Sequence, residues 1–320
     1  MAQTKTAGIS KQRKTRKKGF KQTMRRYGLV YLMFLIPLSV LLIFKYIPMY
    51  GAQIAFRNYK PALGVLQSQW VGFKNFIKFF ESPYFWTTIK NTLTLNIYSL
   101  LTFPLCLVFA LMLRYCRSQR FGKSVQMVSY APHFISTVVV CGLLTQFLSA
   151  RTGVINKVIE LFGGTAANWM GSETAFKHIY VWSDVWQSLG WSSIIYVAAL
   201  TGVSGELHEA AMIDGATRWQ RVWAVDLPCI LPTVCIMLIL RCGSILSVGF
   251  EKIYLMQNSV NLKASEVIST YVYKEGLGKG TRGFSYGAAV GLFNSVVNFV
   301  VLVLVNALTR RLSGNTTSLW

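Results

Sequence analysis

The feature that most constrains this chain is a set of six apolar runs, each long enough to cross a lipid bilayer. About 20 apolar residues in a helix match the hydrocarbon thickness. Such runs fall here at roughly 28–50, 89–113, 125–148, 179–202, 229–250 and 285–308. Once they are allotted, the 320 residues leave no stretch for a sizeable soluble domain. Lipid offers no partner to backbone N–H and C=O groups, so each run must satisfy its own as a helix. Composition agrees, with 53% hydrophobic and 14% charged residues and a mean hydropathy of +0.42, values foreign to a soluble domain. The expectation is an all-α membrane protein: a six-helix domain over 28–308 between polar tails at 1–27 and 309–320.

Six spans place both ends of the chain on one face of the membrane, and the basic residues say which. Segments on the termini side hold eighteen Lys/Arg, ten of them in residues 1–27, whereas the longer loops opposite hold twelve. The positive-inside rule therefore assigns both termini to the cytoplasm. The net charge of +22 invites a nucleic-acid reading. Its largest block, KQRKTRKKGFKQTMRR, directly precedes the first apolar run, where such blocks orient a helix and contact anionic membrane lipid. No nucleic-acid partner is expected. The first run is long and lacks a clear small-residue cleavage site, so it reads as a retained helix rather than a signal peptide. The six cysteines fall in spans or on the cytoplasmic side, with no CxxC, and the three histidines show no paired spacing; neither disulfides nor a metal site is expected.

One cytoplasmic loop is far more elaborate than a chain reversal requires. Between the fourth and fifth runs, residues 206–228 concentrate Glu206, Glu209, Asp214 and Asp226 with Arg218 and Arg221, interleaved with Ala210, Ala211, Met212, Ile213, Trp219, Val222 and Trp223. A simple connection needs only a handful of residues. This one has apolar surface for two short helices, with Gly215 as the break, since glycine disfavours helix interiors and tolerates a turn. The physical reading is a helix–turn–helix knob that a partner grips.

The residues of that knob resemble a known motif. Glu209-Ala210-Ala211, then Gly215, then nine residues to Val225 and Leu227–Pro228, are similar to the EAA loop of ABC-importer permeases, with Val225 in place of the usual Ile. Further stretches extend the resemblance to the carbohydrate (maltose and multiple-sugar) branch, in particular to polysaccharide and complex-oligosaccharide permeases. They are GAQIAFRNYKPALGVLQSQWVGFKNFIKFFESPYFW, FEKIYLMQN, VISTYVYKEGL and GAAVGLFNSVVNFVVLVLVNALTRRL. The resemblance implies a type I importer permease fold in a bacterial cytoplasmic membrane. It also implies a second permease, two ATPase subunits, an extracytoplasmic solute-binding protein and an oligosaccharide substrate. The loop would be the coupling helix that docks in the ATPase cleft, with Glu209 pairing a basic group there and Ala210 and Ala211 staying small to fit. Gly215 would permit a turn where any side chain collides, Asp214 would cap the following turn, and Leu227–Pro228 would start the fifth helix.

No catalysis is expected of this chain. It lacks a GxxxxGK[ST] phosphate loop; Gly276-Leu-Gly-Lys-Gly-Thr281 has the wrong glycine spacing. No cofactor is expected here either, ATP and Mg being assigned to the partner ATPase. For the substrate path, charged residues within spans are costly and face a cavity or a partner. Asp184 and Arg241, the latter placed near the middle of the fifth helix, differ in predicted depth by about 6 Å. Either they pair with each other, or they line a polar cavity where Trp182 or Trp186 faces a sugar ring and Gln187, Asn294 or Asn298 bonds its hydroxyls. An unpaired Arg241 would favour acidic sugars. For the tryptophans the alternative is an interfacial aromatic belt. His133, beside Pro132, reads as a structural residue.

Two other functions were weighed from the sequence. A secondary transporter would need midplane carboxylates for a coupling ion, and usually internal symmetry. A membrane enzyme acting on lipid-linked sugars would need a carboxylate or histidine cluster at one interface. The residues show neither pattern.

Overall fold

The computed structural model describes residues 20–278 and 283–312, with side chains from Tyr27 to Arg311 outside the gap. The proposed tails at 1–27 and 309–320 therefore fall largely outside the described residues. The chain divides into two compact units, one ending at Gln53 and the other beginning at Ile54. The first contains α1 (Phe20–Leu41), which continues as a widened turn at Leu42–Tyr46 and a short helix to Met49. A proline within a helix predicts a kink, yet Pro37 lies inside regular helix and the widened turn comes after it.

The second unit opens with a small hairpin absent from the sequence reading, β1 (Arg57–Lys60) antiparallel to β2 (Ser68–Trp70). Phe73, Phe76, Ile77 and Phe80 recur at three- and four-residue spacing, which predicts a short interfacial helix, and α2 (Lys74–Phe80) is found there. Of that stripe Phe73, Ile77 and Phe80 are exposed and Phe76 is half-buried, while Phe79 makes the buried contact. That arrangement suits a helix lying at a bilayer surface.

Phe85–Arg114 is one helical run made of α3 (Phe85–Leu101) and α4 (Pro104–Arg114). The third predicted span is not a single helix. It begins earlier, as α5 (Gln119–Tyr130), and breaks after Phe134, resuming as α6 (Thr137–Phe147) at an angle of 94°. The cause is local: Pro132 cannot continue an α ladder, and the Ser136 hydroxyl caps a new helix by accepting from Val139 N–H. α7 (Val154–Leu161) ends at Gly163 as its sequence requires. α8 (Glu173–Thr201) has 29 residues, about 44 Å of helix.

α9 (Gly205–Ile213) and α10 (Arg218–Arg221) flank Gly215; α10 runs on through a widened turn at Val222–Asp226 into α11 (Leu227–Cys242). The predicted fifth span, 229–250, stops eight residues short. This places Arg241 in the last turn of α11 rather than near the middle. The end is held from outside: Asn298 accepts from Leu246 N–H at 2.8 Å and donates to Ser247 Oγ at 2.8 Å. Beyond it, α12 (Phe250–Met256) and α13 (Ile268–Val272) are separate pieces; the sequence from Ala264 to Glu275 reads as one helix, but the structure interrupts it near Glu266. α14 (Gly283–Leu312) closes the chain. Gly287-x-x-x-Gly291 predicts a small-residue contact face on α14, and it is present at Gly287, where an added Cβ would stand 2.9 Å from Gly276 Cα; at Gly291 it would meet open space.

Four runs are long and apolar enough to cross a membrane: Tyr27–Phe56, Phe85–Arg114, Arg218–Cys242 and Gly283–Arg311. The bent pair is a fifth candidate. α8 is long enough but interrupted by Ser183, Asp184, Gln187, Ser188, Ser192 and Ser193. Burial within the second unit gathers in three clusters. One joins α4, α8, α11 and the root of the knob through Ala110, Tyr196, Leu200, Val203, Val225 and Ile230. The others lie around Phe176 and Ile253, and around Phe79, Tyr271 and Tyr286.

Candidate coupling loop and translocation cavity

The knob is rooted in core and bare at its tip. Val222, Val225 and Asp226 are buried and Ala211 is half-buried, whereas Glu209, Ala210, Met212, Ile213, Asp214, Trp219 and Trp223 are exposed. Ile213 is 87% exposed. Glu209 has no hydrogen bond or ion pair among the described residues, leaving its carboxylate available to another chain.

Gly215 has φ +79°, the left-handed region, and ends α9 with Gly215 N–H on Met212 O and Ala216 N–H on Ala211 O. This corrects the expected reason for the glycine. A side chain there would meet open space within this chain, so the demand is on backbone conformation, where a Cβ is strained. Asp214 is also not the cap of the next turn. Thr217 takes that role, in a reciprocal capping box with Gln220. The spacing Thr-x-x-Gln is a sequence signal for that box, and it was overlooked. Leu227 and Pro228 do open α11, with proline in its first turn.

At the root of the knob lies a polar cluster the sequence reading missed. Asp226 is fully buried and accepts from the Tyr115 hydroxyl at 2.5 Å; His208 Nε2 stands 3.2 Å from its other oxygen. Burial first, and the Asp226 contact second, push the Tyr115 phenol up to about 12. It is therefore a protonated donor at any physiological pH.

Asp184 and Arg241 do come together around one cavity of about 290 Å³, between α3, α4, α8 and α11. They do not pair with each other. Arg241 donates to Ser99 Oγ at 2.5 Å, and Asp184 lies 3.6 Å from Lys252 Nζ. Burial lowers the Lys252 ammonium below its ordinary pKa, an effect the neighbouring Asp184 opposes. The polar lining also includes Thr102, Ser188, Ser192 and Ser244. On α8, Asp184, Ser188, Ser192 and Tyr196 recur every four residues, a one-face pattern readable in the sequence.

The remaining path candidates serve elsewhere. Gln187 donates to Ile135 O at 2.9 Å, satisfying a carbonyl freed where α5 and α6 break apart. Asn298 does the same at the end of α11. Backbone freed by a break within the bilayer needs such partners. His133 stacks on Trp191 at 4.5 Å beside the first break, a structural role as expected. Trp186 lines a separate, apolar groove with Pro132 and Val128 and is not part of the cavity lining. Trp182 donates to the Tyr98 hydroxyl, itself 2.7 Å from His178 Nδ1, and does not line the cavity. Asn294 is half-buried with a side-chain oxygen unbonded among the described residues, and it too lies off the cavity lining.

A helical membrane protein with a serine-rich, charged cavity and a bare knob rooted between its helices is, by class, a transport permease. Residues 16–314 match the family described as binding-protein-dependent transport system inner membrane component, and the chain belongs to it. It is 41% identical to the polygalacturonan/rhamnogalacturonan transport system permease protein YteP of Bacillus subtilis, over 95% of this chain and 94% of that protein. It is 40% identical to Protein LplB of the same organism, covering 90% of each. Among solved structures, a chain of a bacterial alginate ABC transporter bound to an alginate pentasaccharide-loaded periplasmic protein superposes with TM-score 0.84 at 39% identity. That match covers 94% of this chain and 100% of the other.

Proposed function

We propose that this chain is one of two permease subunits of an ATP-driven importer of acidic oligosaccharides in the bacterial cytoplasmic membrane. It crosses that membrane six times, with α8 and the bent α5–α6 pair counted as spans and both termini inside. The second permease completes the pathway. Two ATPase subunits bind ATP and Mg and grip the Glu209–Pro228 knob, and an extracytoplasmic binding protein delivers the sugar. No cofactor resides in this chain.

The observation that carries the substrate class is Arg241, which lines the cavity and has no carboxylate partner among the described residues. Asp184, the acid in the same lining, is engaged by Lys252. A guanidinium presents a planar fork suited to a carboxylate, so a uronate would bond where a neutral sugar gains little. Relatives named for polygalacturonan and alginate transport support that class. The cavity is at the small end of ligand-pocket volumes, roughly 300–1,000 Å³, so it holds one ring of a chain rather than an oligosaccharide. This fits half of a shared path.

The test compares uptake of uronate and neutral oligosaccharides by the reconstituted importer, wild type and Arg241→Gln. Uronate uptake should fall about tenfold or more, the size of a lost charge-assisted hydrogen bond, and neutral uptake should change little. Equal loss of both would remove the charge argument. Recovery of the chain without any ATPase, yet active in transport, would favour a secondary transporter; turnover of a lipid-linked sugar would favour an enzyme.

A further inference from the structure

The buried cluster at the root of the knob joins three elements that nothing else polar joins among the described residues. Asp226 sits at the head of α11, Tyr115 directly follows α4, and His208 lies on α9, the coupling helix itself. Asp226 Oδ2 accepts from Tyr115 at 2.5 Å; His208 Nε2 is 3.2 Å from Oδ1 without the alignment of a hydrogen bond. The Arg221 guanidinium covers the Tyr115 ring at 5.9 Å.

The far ends of α4 and α11 are walls of the cavity. Phe103 and Cys106 line it from the start of α4, and Met237, Leu240 and Arg241 from the end of α11. At 1.5 Å per residue, Tyr115 lies about 14 Å along the helix from Cys106, and Asp226 about 22 Å from Arg241. Hydrophobic attraction between two helices is non-directional. A hydrogen bond onto a carboxylate that water cannot reach is directional and strong.

We infer that Asp226, Tyr115 and His208 are positioning residues forming a tie between the coupling helix and both cavity walls. When the ATPase displaces the knob, α4 and α11 follow as one body, and the displacement reaches Arg241 and Cys106 instead of dissipating at the loop. This rests on the reading of the knob as the ATPase seat.

The experiment uses the complete importer carrying Tyr115→Phe, Asp226→Asn, both, or His208→Gln. Three quantities are read: ATPase recovered with the permease, ATP hydrolysis stimulated by loaded binding protein, and sugar transported per ATP. Tyr115→Phe keeps the ring and should leave assembly and stimulated hydrolysis within about twofold. Transport per ATP should fall about tenfold, as for one lost bond to a charged acceptor. Because the two residues act through one contact, the double variant should transport no worse per ATP than Asp226→Asn alone. An unchanged ratio in Tyr115→Phe, or transport and hydrolysis falling in proportion, would overturn the tie. Should Asp226→Asn fail to assemble, Tyr115→Phe alone decides. A wild-type particle without ATPase would instead remove the functional reading on which the tie depends.

Discussion

Single residues here were easier to nominate than to assign. Gly215 was recognisable as a break, yet the reason for it is its φ of +79° and not crowding. Gly215→Ala should therefore destabilise the knob by about 1–2 kcal/mol, the left-handed penalty. Gly215→Asn should cost less, since asparagine tolerates that region; thermal unfolding of the purified permease measures both. Loss of the Thr217 hydroxyl in Thr217→Ala should cost about 1 kcal/mol, read the same way. Tyr115 carries a pH signature. Its folded pKa, about 12, is raised above the ordinary value of about 10. The stabilisation it supplies is thus complete below about pH 10 and is lost as pH climbs through 12. A difference absorbance titration of wild type against Tyr115→Phe should show one phenol ionising near 12; ionisation near 10 would mean that Tyr115 is neither buried nor bonded to Asp226 in solution.

At the scale of elements, apolar length located helices well and their ends poorly. α3–α4, α8 and α14 fall where the apolar runs placed them, because hydrophobic length is a local property. The break between α5 and α6 has local causes in Pro132 and Ser136, but the carbonyl it frees is met by Gln187 of α8. The segment after the early end of α11 is held by Asn298, and no local pattern connects those partners to the breaks. Those residues looked like sugar ligands because a polar side chain in a span has few reasons to exist, and repair of broken backbone is one of them. Gln187→Leu would leave the Ile135 carbonyl without that partner. It should lower stability by about 1–3 kcal/mol, measured by unfolding in detergent, with sugar selectivity unchanged.

For the whole molecule, the charge count and the knob lead to the same orientation by separate routes. A cysteine introduced at exposed Arg120 in a cysteine-free background should react with an impermeant maleimide in inside-out vesicles and not in intact spheroplasts. The reverse would invert the topology. The amino-acid order alone determined that the chain is helical and membrane-embedded, singled out one loop as more elaborate than a chain reversal, and nominated Asp184 and Arg241 as charges that either pair or line a cavity. Each of these follows from composition, period or a contiguous motif. Only the tertiary structure decided that the two charges share a cavity without pairing, and that Lys252 and Ser99 take them instead. Only it brought Tyr115 to Asp226, 111 residues away. Which polar groups meet is set by how the helices pack, and packing joins positions that sequence spacing keeps apart.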